Sequence, residues 1–230
     1  MKEDRVALAV MARAPSDGGG KTRLLAALRI QDGTDLRRAI LLDTLDVVGR
    51  DTLPVAEPVM FYTPSTAGAE LAKLTGDRWG LIPQRGEDLG ERLEHAFTDL
   101  FVQGYAGALI IGSDLPTLPV EYVQLAAAQL LALDDPVVLG PARDGGYYLI
   151  GLRKPHPELF RGVAWSTASV LAETISIARN AALPVSLVPE WYDIDSVEDL
   201  RRATAGGDPG AHRAWRTEEV VARHDAAGRG

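Results

Sequence analysis

The sequence predicts a three-layer α/β/α sandwich on a mostly parallel, mixed β-sheet, and three observations carry that expectation. Short runs apolar on both faces, such as Val6-Ala7-Leu8-Ala9-Val10-Met11, read as strands shielded from both sides. Stretches with apolar residues at helical spacing alternate with them along the chain. A length of 230 residues, 46% of them hydrophobic, is enough for one large core.

Val6–Met11 is the first strand, and the loop from Arg13 to Gly20 leads into a helix near Lys21-Thr22-Arg23. Residues 35–48 place Leu41, Leu45 and Val48 on one helical face, Pro58–Tyr62 is a second strand, and 66–75 is a short helix. Trp79–Ile82 forms a third short strand before Pro83. Asp88 caps the next helix with Glu91 three residues on, and Leu89, Leu93, Phe97 and Leu100 make its buried stripe. Ala108–Ile111 is a strand, after which Thr117 caps a helix with Pro119 in its first turn. Pro136–Leu139 and Tyr147–Ile150 flank Asp144 closely enough to predict a mixed edge to the sheet. Ser166 or Thr167 starts a helix through Ile177, Leu183–Val188 is a strand, and Ser196 caps the last regular helix with Asp199 three on. Residues 1–203 are expected to form one catalytic domain. Gly206-Gly207-Asp208-Pro209-Gly210 reads as a linker, leaving 204–230 as an extension that is either a packed helix or a frayed end.

Composition excludes several classes. Twenty-four basic against 32 acidic residues give a net charge of −8, opposite to what a nucleic-acid backbone attracts. Without cysteine there is neither a disulfide framework nor thiolate chemistry. Met1-Lys2-Glu3-Asp4-Arg5 runs into a strand too short for a signal or membrane segment, so a cytoplasmic protein with no membrane partner is expected. His95, His156, His212 and His224 lack metal-ligand spacing, which argues against zinc.

The chemistry gathers at strand ends. Ile110-Ile111-Gly112-Ser113-Asp114-Leu115-Pro116-Thr117 is an apolar strand ending in one carboxylate, where an open α/β sheet presents its site. In Arg13-Ala14-Pro15-Ser16-Asp17-Gly18-Gly19-Gly20-Lys21-Thr22-Arg23, Pro15 stands where a Walker A loop needs glycine, and the dinucleotide spacing is missing too. What remains is either a solvated turn or a glycine-rich turn whose N–H groups, with Lys21 and Arg23, hold phosphate. Magnesium takes one or two carboxylates plus phosphate and water, so Asp114 is one candidate ligand and Asp195 or Asp193 the second. Asp193 and Asp195 share a side of an extended stretch that turns Ile194 inward. Asp144 before Gly145-Gly146 is a turn residue or, with Tyr147 and Tyr148, part of a site floor. Gln84-Arg85-Gly86 reads a base or sugar, or is an ordinary loop. Ser166-Thr167 after Trp165 lacks a nucleophile's Gly-x-Ser-x-Gly frame and reads as a helix cap.

With these stretches in view, the chain resembles the bacterial DUF2064 group, also labelled transferase 1 associated with radical-SAM and selenium-domain proteins. The matching motifs are Met11-Ala12-Arg13-Ala14-Pro15 with Lys21-Thr22-Arg23-Leu24, Gln84 to Arg92, Ile111 to Pro119, Gly140 to Gly151, Trp165-Ser166-Thr167 and Trp191 to Asp195. The first loop departs from the group's usual Val-Pro-Gly-Arg-Val-like stretch, with extra glycines and one basic residue fewer. The group is similar to guanylyltransferases for phospholactate and the molybdenum cofactor, and more remotely to nucleotide-sugar glycosyltransferases. The resemblance implies a Rossmann-like, GT-A-like nucleotide-diphospho-sugar transferase fold. It implies Mg2+ or Mn2+ on Asp114 and Asp195, with Asp193 nearby, and phosphates on Lys21 and Arg23.

The candidate nucleotide contacts are therefore Ala12, Arg13, Gly20, Lys21, Arg23, Gln84, Gly86 and Ser113. Candidate acceptor contacts are Gly145, Gly146, Tyr147, Trp165, Ser166 and Thr167. Lys21, Arg23, Asp114 and Asp144 are the catalytic candidates. The leading expectation is Mg2+-dependent transfer of NMP from an NTP, with GTP favoured, to a small phosphorylated acceptor with loss of pyrophosphate. In-line transfer at phosphorus suits a site without a side-chain nucleophile. The alternatives are a glycosyltransferase passing a sugar from a nucleotide sugar to a sugar-like acceptor, and a non-catalytic nucleotide-binding protein.

Overall fold

A computed structural model describes residues 5–49 and 56–227 of the chain. Alternation along the first strand, β1 (Val6–Arg13), sorts its side chains onto two cores. Val6, Leu8, Val10 and Ala12 join one cluster, while Ala7 and Ala9 join the other, with Met11 packed at its margin. Helices α2 (Thr34–Gly49), α3 (Gly68–Thr75) and α5 (Val120–Ala132) supply the first cluster through residues such as Leu45, Leu71 and Val123. Helices α4 (Leu89–Val102) and α6 (Val170–Asn180) supply the second through Leu93, Phe97 and Ala178. That arrangement is the three-layer sandwich expected from the alternating strands and helices.

The remaining strands are β2 (Ala56–Thr63), β3 (Gly80–Pro83), β4 (Gly107–Gly112), β5 (Val137–Pro141), β6 (Tyr147–Leu152) and β7 (Val185–Leu187). They form a seven-stranded sheet in the order β3-β2-β1-β4-β6-β5-β7. All neighbours run parallel except that β6 is antiparallel to both β4 and β5. The sheet is mixed, but the antiparallel strand is interior and not at an edge as the sequence suggested. A hairpin through Asp144 inserts β6 between β4 and β5, and nothing local in a sequence records which strand a hairpin arm pairs with next.

Helix caps were partly legible. Asp88 accepts from Glu91 N at 2.9 Å, and Ser196 with Asp199 forms a capping box at the start of α7 (Val197–Ala205). Thr117 is no cap. It is buried, with its hydroxyl 3.4 Å from Tyr192 Oη, and α5 begins behind Pro119 without a side-chain cap. Ser166 and Thr167 do not start α6 either, because Ser166 is left-handed at φ 64° and the helix waits until Val170. The last strand is also shorter than expected, three residues long.

The C-terminal segment forms α8 (Trp215–Ala227), packed on α2. Its start is held by the fully buried Asp43, which accepts from Thr217 N at 2.9 Å, Thr217 Oγ1 at 2.8 Å and Arg216 Nη1 at 3.1 Å. A buried carboxylate requires such partners, and this one fixes the packed-helix alternative over the frayed one. Among the described residues no helix is long and apolar enough to cross a membrane. The expectation drawn from Met1–Asp4 lies outside the described residues.

Candidate active site

The sheet order brings five loops to one edge. The segments after β1, β3, β4, β5 and β7 leave the carboxyl ends of mutually parallel strands, and β6 begins there because it runs the other way. The order reverses between β1 and β4, so their ends flank the switch point where such sheets form a crevice.

At that point Lys21 and the strand-end carboxylates meet. Lys21 Nζ lies 2.8 Å from Asp114 Oδ2 and 2.9 Å from Asp195 Oδ1, and its side chain is 5% exposed. Asp114 and Asp195, at 41% and 66%, still face solvent. Burial alone would push the Lys21 ammonium down, but the two carboxylates outweigh it and its pKa is raised. Ile194 N donates to Asp114 O at 3.1 Å, which docks the Asp193–Asp195 stretch on the β4 loop, and Ile194 is fully buried as the alternation predicted.

Thr44 of α2 braces that loop from behind, a role the sequence reading missed. Its buried hydroxyl accepts from Leu115 N at 3.0 Å and shares its one proton between Ile40 O at 2.9 Å and Ser113 O at 3.0 Å, so it touches the peptide groups on both sides of Asp114. The signal was present as a polar pair, Asp43-Thr44, inside the apolar face of α2.

Beside this cluster is a cavity of about 260 Å³. Its lining includes Ser113, Asp114, Asp144, Gly146, Tyr147, Tyr148, Trp165, Ser166, Thr167 and Asp193, with Leu89 and Val170, which sequence reasoning did not assign to a site. Tyr147 and Trp165 meet edge to face at 6.4 Å. The lining holds three carboxylates and no Lys, Arg or His. Asp144 Oδ1 accepts from Gly146 N at 2.9 Å, so the residue makes the tight turn and also faces the cavity. Gly145 must be glycine. Its φ is +90°, and a Cβ there would come 2.2 Å from Ala168 O. Burial, with Asp195 close by, pushes the Asp193 carboxyl up to about 7.

Other sequence candidates are engaged elsewhere or stand apart from the cavity. Arg13 is ion-paired to Asp17, and Ser16 is tied to Glu70 of α3, so the first half of the loop is anchored. Gln84 gives its amide N–H groups to Phe61 O at 2.9 Å and Ala12 O at 3.2 Å, which closes the ends of β1, β2 and β3 and leaves those donors unavailable to a base. Gly86, at φ +122°, packs on Glu91. Gly20 and Arg23 are exposed, Arg23 unpaired among the described residues, on α1 (Thr22–Ala27), a helix of only six residues.

The same geometry bears on a metal. Among the described residues no three or more His, Asp or Glu converge to hold one, and Asp193 does not complete a triad with Asp114 and Asp195. Two carboxylates that already point oxygens at one cation suit an ion that fills its shell with phosphate and water.

Comparison with known proteins fits this architecture. Residues 44–167 match the family described as uncharacterized proteins conserved in bacteria (DUF2064). The crystal structure of a "putative nucleotide-diphospho-sugar transferase" from Desulfovibrio desulfuricans G20 is 30% identical, with a TM-score of 0.83 over 97% of this chain and 98% of that one. Rv0371c from Mycobacterium tuberculosis H37Rv, also solved with manganese, is 18% identical with a TM-score of 0.57 over 87% of this chain and 97% of its own. A 4-diphosphocytidyl-2C-methyl-D-erythritol synthase from Anaerococcus prevotii DSM 20548 shares the fold at 10% identity, with a TM-score of 0.56 over 86% and 93%. No curated protein matches. The chain belongs to the DUF2064 family and has the GT-A-like nucleotide-diphospho-sugar transferase fold.

Proposed function

We propose that this protein is a divalent-cation-assisted transferase that moves the sugar of a nucleotide-diphospho-sugar onto a hydroxyl of a small acceptor. Transferase chemistry on a nucleotide substrate is what the family and fold support; the choice of glycosyl transfer rests on one observation. The cavity presents three carboxylates, three Ser and Thr hydroxyls and an aromatic wall, and no basic residue. Phosphate recognition wants Arg, Lys or aligned N–H donors, whereas carboxylates and aromatic rings suit the hydroxyls and C–H faces of a sugar. The name carried by the Desulfovibrio relative points the same way. This reverses the order of the alternatives drawn from the sequence, in which nucleotidyl transfer led.

In this reading Lys21 and Arg23 hold the donor's diphosphate, and Asp114 and Asp195 hold Mg2+ or Mn2+. The cation would neutralise charge on the departing nucleoside diphosphate. Tyr147 and Trp165 position the acceptor, Ser166 and Thr167 offer it hydroxyl groups, and the free oxygen of Asp144 takes the acceptor's proton. Thr44 keeps Asp114 aimed.

The test is a panel of nucleotide sugars with neutral sugar acceptors and Mg2+ or Mn2+, scored for nucleoside diphosphate. Release that needs both cation and acceptor is expected. The second reading, nucleotidyl transfer, is favoured by the fold shared with the cytidylyltransferases. Pyrophosphate release from an NTP and a phosphorylated acceptor, with no diphosphate from any nucleotide sugar, would replace the first reading by the second.

A further inference from the structure

The Lys21 ammonium stands where the two carboxylates converge. One oxygen of Asp114 and one of Asp195 reach it at 2.8 and 2.9 Å, and almost none of the side chain is open to water. A divalent ion drawing on the same two oxygens at about 2.1 Å would sit beside this ammonium, cation against cation, with no anion between them. While both aspartates hold it, Lys21 has one of its three N–H donors left for a diphosphate. The segment before it carries glycines on both sides of Gly19, which itself lies against the Arg13–Asp17 pair. Gly18 and Gly20 have φ of +73° and +78°, with no atom beyond their chain neighbours within 4 Å of where either Cβ would stand, and Lys21 follows at +58°. The loop is pinned upstream at Ser16, so it can pivot between that anchor and α1.

We propose that Lys21 is the resident cation of the Asp114–Asp195 pair in the nucleotide-free protein, and that a divalent ion gains both carboxylates only when the donor's diphosphate draws the ammonium off them. The inference rests on the diphosphate-and-cation reading of this cleft and adds its regulation. The protein without nucleotide is a poor metal binder, and nucleotide and metal enter together. One lysine thus guards the metal position and then grips the phosphate.

The experiment titrates Mn2+ alone into wild type and Lys21→Met, reading free Mn2+ by electron paramagnetic resonance. With the competing ammonium gone, Lys21→Met is expected to bind Mn2+ at least about tenfold more tightly than wild type. Binding equal to or weaker than wild type overturns the proposal. The variant leaves two carboxylates facing each other and could fail to fold. In that case the wild type decides, through the ζ-ammonium signal of Lys21 in 15N-lysine-labelled protein. Burial between the carboxylates should slow its exchange with water. Mg2+ with an equimolar mixture of UDP, CDP, ADP and GDP should shift that signal, and a signal unchanged by the mixture overturns the proposal. Neither arm requires turnover, so failure of the glycosyl-transfer reading shows separately, as no diphosphate release from any nucleotide sugar.

Discussion

At the β1–β4 end of the cleft, the Lys21 ammonium is buried between two aspartates that both point at it. At the β5–β6 end, Asp144 is exposed and spends one oxygen on the backbone of its own turn. The first cluster holds one ammonium between two carboxylates, and on the proposal above a ligand must draw that ammonium off before a metal gains both. The second is already shaped, its turn fixed by Gly145 against Ala168 and its wall set by the Tyr147–Trp165 contact. The difference follows from topology. Asp114 follows β4 and Asp195 lies in the segment after β7, and both meet a cation from the loop after β1, whereas the Asp144 hairpin is built from contiguous residues that make a local turn. A rearranging charge cluster beside a rigid pocket suits a two-substrate transferase, in which one substrate brings charge and the other shape.

The sharpest way to break the comparison is Asp114→Asn. It removes the charge that attracts a divalent cation while keeping size, and Asp195 still holds Lys21. Turnover should fall by about 10³-fold, in the range for losing one preorganised electrostatic group, with a melting temperature within a few degrees of wild type. Diphosphate release and thermal melts check both. Full activity in Asp114→Asn would take this cluster out of the chemistry.

The next effect is on stability and belongs to the same end. In the folded protein, burial and Asp195 raise the Asp193 pKa from 3.8 to about 7. The native state therefore binds more protons than the unfolded chain between these values. The stabilisation is fully present below about pH 4, declines as pH rises, and is gone above about pH 7. Over the whole window it amounts to at most about 4 kcal/mol. Urea unfolding of the chelated protein at pH 4.5 and 7.5 should show that decline, and Asp193→Asn should flatten it. Equal slopes in the two proteins would mean that Asp193 ionises freely.

Thr44 tests whether the charged cluster depends on the scaffold behind it. Thr44→Val strands the Leu115 N–H, at a cost of about 1–3 kcal/mol for a buried unsatisfied group. For a chain of this size that lowers the melting temperature by about 2–4 °C per kcal/mol. Turnover should fall with little change in acceptor KM, and Thr44→Ser should restore it. A loss of stability alone, with activity per folded molecule intact, would make Thr44 a packing residue only.

What the sequence made legible follows the same division. Asp114 could be placed because an apolar strand ending in a carboxylate is a local signal, and Asp88 and Ser196 because a cap and its partner lie three residues apart. The two-residue spacing of Asp193 and Asp195 likewise put Ile194 inside. Thr44 was hidden because its partners lie about 70 positions away. The ammonium between Asp114 and Asp195 was hidden because it joins three segments far apart in sequence. The structural part of Gln84 was hidden for a related reason: its amide closes backbone groups that only the assembled sheet brings near.

The smallest effect is expected at the other end of the cleft. Asp144→Asn keeps an oxygen able to accept from Gly146 N, so the turn, the positive φ of Gly145 and the cavity shape should all persist. What disappears is the negative charge and with it the proton acceptor offered to the substrate. Asp144 is exposed, where water can take over part of that role. The loss should therefore be modest, about tenfold to a hundredfold in turnover, at the low end of what a general base contributes. Its melting temperature should match wild type, and so should the thermal shift produced by Mn2+ with nucleotide, since neither depends on this carboxylate. The paired comparison with Asp114→Asn carries the information, because one variant should lose the ligand-induced shift and the other keep it. Melts of both variants, with and without Mn2+ and nucleotide, decide. If Asp144→Asn abolishes the shift while Asp114→Asn retains it, the cation belongs at the β5–β6 end, and the roles given to the two halves of the cleft are reversed.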